Sequence, residues 1–305
     1  MTRLPPGLGA ADVPGGATHG WRSRYVDVDG ARVHYLEAGA GDTTLVLLHG
    51  GIVWCSAETE FGAVMPYVAT RLRVVAPDVV GFGRTAARGV DDLASPTMGA
   101  FTVSFLRALG GRVFVGGNSH GGWLATYAAL EAPDIVEGLV VINSGSTVVA
   151  SRSDEGENAF DPRWALPEQA PSRDDVRREL EAFYRQPHVV TQERIDRCYQ
   201  LTTEHFARAQ ERQRLHGMTA ADRNRSLAYD GQHISYAADR LAMPVLLTWS
   251  RENRGARPED AMPFFNRLRN AEMHVWVDAG HHLQLEHPTS WADVVTSFVE
   301  RSVRR

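Results

Sequence analysis

The chain has 305 residues and a mass of 33.6 kDa, of which 43% are hydrophobic, 23% charged and 9% aromatic. That composition excludes a disordered or fibrous chain and predicts one large domain with an insertion, or two small ones. Thirty-seven acidic against 32 basic residues leave a net charge of −5, which argues against neutralising nucleic-acid phosphates and points to a small molecule or another protein as partner.

Residues 1–20, rich in Gly, Pro and Ala, lack the apolar run of a secretory signal and read as a disordered tail. Nothing later approaches the roughly 18 apolar residues of a membrane span. Two cysteines, Cys55 and Cys198, make neither a disulfide framework nor a thiolate cluster, and fit a cytoplasmic protein. Tyr25 to Leu36 alternates around Asp29-Gly30, a hairpin signal. Solid apolar runs follow at Thr44 to Leu48, Arg73 to Ala76, Arg112 to Val115, Gly138 to Ile142, Val245 to Trp249 and Met273 to Val277. Solid rather than alternating runs suit strands buried on both faces. Stretches such as Ser95 to Leu109 and Gly121 to Leu130 between them can form crossover helices, so the reading is an α/β fold with a mostly parallel eight-stranded sheet.

About a hundred residues interrupt this rhythm between Ile142 and Val245. Ser172 can cap a helix with Val176, Leu180, Phe183 and Tyr184 on one face, and Thr191 can start another carrying Ile195 and Tyr199. The expected organisation is a core of residues 21–144 and 242–305 with a helical cap at 145–241.

Chemistry concentrates at three places. Val113 to Val115 runs into Gly117-Asn118-Ser119-His120-Gly121 and then a helix, the strand–turn–helix context in which a Gly-x-Ser-x-Gly serine is a nucleophile. Leu45 to Leu48 ends in His49-Gly50-Gly51, a loop that in this layout gives one oxyanion-hole N–H, placed at Gly51; the second comes from His120. His49 reads as structural. After the last strand comes Asp278-Ala279-Gly280-His281-His282, with His281 as the general base. His282, Glu286 and His287 lack zincin spacing. No metal or organic cofactor is expected.

These motifs make the chain resemble an α/β-hydrolase. More narrowly, Val74-Val75-Ala76-Pro77-Asp78 with Gly81-Phe82-Gly83-Arg84-Thr85, Asn118-Ser119, and Gly280-His281 with Glu286-His287 resemble the meta-cleavage product hydrolases, which cleave C–C bonds in vinylogous diketones. The resemblance implies substrate binding by Asn118 and by Arg197, the latter within Glu193-Arg194-Ile195-Asp196-Arg197; it also allows a homodimer. Esterases and lactonases share the core motifs, so an ester or lactone is an equal substrate class.

Two departures stand out. The family's acid position, in Trp249-Ser250-Arg251-Glu252-Asn253, holds Asn253, a neutral amide that can orient an imidazole without offsetting its charge. Glu252, Asp260 or Asp278 could substitute as the acid. Alternatively Ser119-His281-Asn253 works as it stands, or hydrolysis has given way to a lyase, cyclase or isomerase acting through Ser119 and His281, or to a non-enzymatic ligand-binding pocket. The other departure is His282 where the family commonly has tryptophan, with His120 in place of the methionine often found after the nucleophile.

Overall fold

A computed structural model describes residues 20–148, 166–216, 225–253 and 255–304. Of the expected tail only Gly20 is described, and part of the expected cap lies outside the described residues. The hairpin forms as β1 (Arg22–Val28) and β2 (Ala31–Ala38), turning on Asp29 and Gly30 with φ of 46° and 80°. Positive φ at both turn positions matches the right-handed twist of the flanking strands.

The apolar runs form β3 (Thr44–Leu48), β4 (Arg73–Pro77), β5 (Val113–Asn118) and β6 (Val136–Ile142). A two-stranded ribbon that the sequence did not announce follows as β7 (Ala228–Tyr229) and β8 (Gln232–His233), and then come β9 (Val245–Ser250) and β10 (Ala271–Trp276). Eight of them make one sheet in the order β1-β2-β4-β3-β5-β6-β9-β10. β2 is antiparallel to both its neighbours and the remaining pairings are parallel.

Helices cover both faces, as strands without a polar side require. α1 (Ala57–Phe61), α2 (Met65–Val68) and the C-terminal helix Pro288–Val303 close one face around Phe61, Trp291 and Phe298. α3 (Ser95–Leu109) and α4 (His120–Glu131) close the other around Phe105, Trp123 and Leu124. Helix Pro258–Phe265 begins with Asp260 accepting from the Arg257 N–H at 2.8 Å, which gives that carboxylate a capping task.

The insertion between β6 and β9 carries α5 (Arg173–Phe183) and α6 (Gln192–His216). Ser172 and Asp175 cap α5 reciprocally, and Thr191 accepts from the Arg194 N–H at the start of α6. Val176, Leu180, Ile195 and Cys198 turn inward onto Trp54 and Cys55 of the loop after β3. Tyr184 joins this cluster but lies just past the helix end, in extended backbone, so the face expected to run through it stops at Phe183. A cavity of about 610 Å³ lies between this insertion and the sheet.

Candidate active site

Ser119 is the residue between β5 and α4, with φ 54° and ψ −122°. A non-glycine residue pays strain for positive φ, and such outliers persist where the surroundings over-determine them. The surroundings here are close-packed backbone. A Cβ at position 117 would sit 2.3 Å from the Gly121 carbonyl, and one at position 121 would sit 2.0 Å from the Leu48 oxygen. Both glycines are therefore dictated by contact across the bend, with the Ser119 N–H donating to the Ile142 oxygen and its carbonyl accepting from the Ser144 hydroxyl.

The structure brings Gly51, Ser119, His120 and His281 to one cavity wall. Gly51 and His120 are adjacent, since a Cβ on Gly51 would lie 3.2 Å from the His120 Cβ. The His120 ring stacks on Trp123 and its Nε2 is 3.1 Å from the Ser95 hydroxyl, so it packs and still lines the cavity. His49 is fully buried; its Nδ1 bonds the Gly50 oxygen at 2.8 Å while Nε2 accepts from the Val79 N–H at 3.0 Å, and burial lowers its pKa. That is the structural role expected of it.

The side chain on the distal nitrogen of His281 is Asn253, at 3.0 Å from Nδ1 to Oδ1. The same oxygen accepts from the Gly255 N–H at 3.2 Å. A backbone N–H can only donate, so it fixes the amide with its oxygen toward the imidazole, and Nδ1 must carry the proton. His281 Nε2 is left as the acceptor. Glu252 instead accepts from the Asp278 N–H at 2.9 Å and pairs with Arg251, and Asp278 pairs with Arg185 and Gln186 on the surface. With Asp260 spent on a cap, the three alternative acids all have other partners.

The base loop is pinned from two sides. Asn143, at φ 44° past the end of β6, donates to the carbonyl oxygens of Gly280 and His281 and accepts from the Ser250 N–H. From the insertion, the Phe183 carbonyl accepts from the His281 N–H at 2.8 Å. Glu286 takes the N–H groups of Gly280, Arg185 and Gln186 on its two oxygens, and His287 bonds the Asp278 carbonyl. Those residues are thus bound to backbone. His282 is enclosed by Trp54, Phe183 and Tyr184.

The two residues expected to bind substrate sit elsewhere. Asn118 is buried and donates to the Ile142 and His281 carbonyls, tying the nucleophile bend to the base loop rather than facing the cavity. Arg197 lies outside the cavity wall and pairs with Glu58 at 2.7 Å. Among the described residues, the arginine that lines the cavity is Arg212, further along α6, which the sequence reading missed. Its guanidinium donates to the Gly51 carbonyl and lies 4.5 Å from the Phe82 ring centroid, with no carboxylate partner among the described residues. Burial lowers its pKa to about 10. Glu179 also lines the cavity; it accepts from the Trp54 indole N–H, and burial raises its pKa.

A sharp strand–turn–helix serine, a histidine on a late loop and a glycine-rich loop beside them, all on an eight-stranded α/β sheet, define an α/β-hydrolase. The family of the α/β hydrolase fold matches residues 43–288, and the chain belongs to it as a hydrolase. It is 29% identical over 278 residues to the 2-hydroxymuconate semialdehyde hydrolase of Pseudomonas sp. (strain CF600), covering 90% of this chain and 93% of that one. Identity is 24% over 280 residues, 91% of each chain, with the 2-hydroxy-6-oxo-6-(2'-aminophenyl)hexa-2,4-dienoic acid hydrolase of Metapseudomonas resinovorans. Among solved structures, the fold is similar to that of a meta-cleavage product hydrolase from Pseudomonas fluorescens IP01, with a TM-score of 0.79 at 21% identity over 92% of this chain and 98% of that one. Among the described residues no helix is long and apolar enough to cross a membrane.

Proposed function

We propose that this hydrolase cleaves a small carbonyl compound with Ser119 as nucleophile, His281 as base and Asn253 as the residue that orients the base. The insertion acts as the cap under which substrate binds. The observation that carries the reading is the Asn253–His281 hydrogen bond on the cavity that Ser119 lines. Ser119 Oγ attacks the carbonyl carbon and its proton passes to His281 Nε2, while the developing oxyanion meets the Gly51 and His120 N–H groups. The imidazolium then returns the proton to the leaving group, and water releases the acyl group by the same route. Asn253 holds the correct tautomer but lends no charge, which suits an activated carbonyl whose leaving group needs little help.

The relatives' names describe oxo-dienoic acids and a muconate semialdehyde. A compound of that kind, pairing a carbonyl with an anionic end, matches Arg212, because a half-buried guanidinium with no carboxylate partner among the described residues is stabilised by an anion brought to it. Two buried free thiols, Cys55 and Cys198, suit a reducing cytoplasm. The test is turnover of a dienoate ketone and of a matching aryl ester by wild type and by Ser119→Ala. Loss of about 10³-fold or more in kcat on the better substrate is expected; unchanged turnover in the alanine variant overturns the serine mechanism.

A further inference from the structure

We propose that Glu60 is a positioning residue for the oxyanion loop and works as an uncharged carboxyl. It fixes Gly50, and through it Gly51, beside Ser119 without placing negative charge behind the oxyanion. The inference rests on the serine mechanism proposed above.

Glu60 is the fourth residue of α1 and is fully buried. Its Oε1 accepts from the Gly50 N–H at 2.8 Å. A Cβ at position 50 would lie 2.9 Å from that oxygen and 3.4 Å from the Ser119 Cβ, so Gly50 is a thin spacer between the carboxyl and the nucleophile. The next residue along is the proposed oxyanion donor. Displacing the carboxyl therefore moves the loop that carries the donor, and geometry at such donors governs much of the rate.

The groups facing Glu60 do not supply the charge a carboxylate needs. Its Oε2 has no hydrogen-bond partner and stands 4.0 Å from Nδ1 of His282, whose two ring nitrogens are also unpartnered. The Cys55 thiol of the loop before α1, and the Tyr184 hydroxyl and Cys198 thiol of the insertion, which share one apolar cluster, lie within electrostatic reach of it. Arg194 of α6 is the cation on this side, and it donates to the Thr59 carbonyl instead. Burial keeps His282 neutral, pushing its pKa well below the usual imidazole value, with the neighbouring His281 adding to the effect. Burial likewise raises the Glu60 pKa to about 8, against the pull of the nearby Cys55 thiol, the Gly50 N–H and the field of Arg194.

At neutral pH the carboxyl is thus protonated, and it accepts from Gly50 as a neutral carbonyl would. As pH rises through about 8 it becomes a carboxylate one residue behind the oxyanion donor. A negative charge there opposes the negative charge forming on the substrate, so nucleophilic attack slows.

The experiment follows the rate at which a fluorophosphonate modifies Ser119, read by intact mass, from pH 6 to 10 in wild type, Glu60→Gln and Glu60→Ala. Wild type should lose about tenfold between pH 7 and 9.5 with a midpoint near 8. Glu60→Gln, which keeps the acceptor and removes the titration, should stay within roughly threefold of wild type at pH 7 and lose the alkaline fall. Glu60→Ala, where it folds by circular dichroism, should label about tenfold or more slowly at every pH. An unchanged alkaline fall in Glu60→Gln, or wild-type labelling in a folded Glu60→Ala, overturns the role of Glu60 alone. Absence of any Ser119 adduct in wild type overturns the serine mechanism and this inference with it.

Discussion

Asn253 gives His281 direction and withholds charge. In a serine-protease triad, exchanging the aspartate for asparagine costs about 10⁴ in rate because the amide favours the wrong tautomer. Here the Gly255 N–H holds the amide oxygen toward Nδ1, so the tautomer is right and only the countercharge is missing. Asn253→Asp should raise kcat on an unactivated aryl ester by about ten- to a thousandfold, since the carboxylate would stabilise the imidazolium. It should also lower stability by about 1–3 kcal/mol, because the buried Nδ2 has no partner and the second carboxylate oxygen replacing it would have none either. Steady-state kinetics with thermal denaturation checks both, and an unchanged kcat would show that charge on this residue is irrelevant to the rate. Arg212 bears on selectivity at the same scale. Arg212→Met should raise KM for a carboxylate-bearing substrate by about ten- to a hundredfold and leave its neutral methyl ester within about threefold, as expected for one lost charge-assisted contact. Equal effects on both substrates would remove it from anion recognition.

Among the elements, the close approach of the end of α5 to the base loop couples insertion to chemistry. A Cβ on Gly280 would lie 2.3 Å from the Phe183 carbonyl, the oxygen that accepts the His281 N–H. Contact with the insertion is the reason for glycine here. Gly280→Ala should push α5 off the loop, lowering stability by about 1–3 kcal/mol and kcat by about tenfold or more, because the base is displaced along with the helix. Hydrogen exchange at the amides of Arg185 and Gln186, held by Glu286, should rise in parallel. Normal exchange there together with a fall in kcat would separate the base from the insertion. The insertion is therefore joined to the His281 loop by backbone hydrogen bonds as well as by the apolar cluster around Trp54.

Across the whole molecule, what was legible followed the reach of local physical rules. Apolar runs and Asp29-Gly30 placed the strands within three residues, because burial on both faces and a positive-φ turn each act over a few positions. Ser119, Gly117 and Gly121 were readable for the same reason: the bend imposes its glycines on immediate neighbours. His281 and Asn253 could be placed at the ends of late strands, yet which side chain meets Nδ1 depended on a rival at position 252 whose direction local sequence does not set. Arg197 and Arg212 show where local reading stops. They lie fifteen residues apart on one helix, or about 22 Å along its axis, and only the seating of α6 over the sheet decides which reaches the cavity. Glu60 and Asn143 carry no motif at all. The chain by itself determined the sheet, the strained serine and the late histidine, since these follow from periodicity and steric demands between neighbours. The tertiary structure alone decided which side chain meets Nδ1 of His281, which described arginine lines the cavity and which carboxyl takes the Gly50 N–H, because those depend on the distance and burial of groups far apart in sequence.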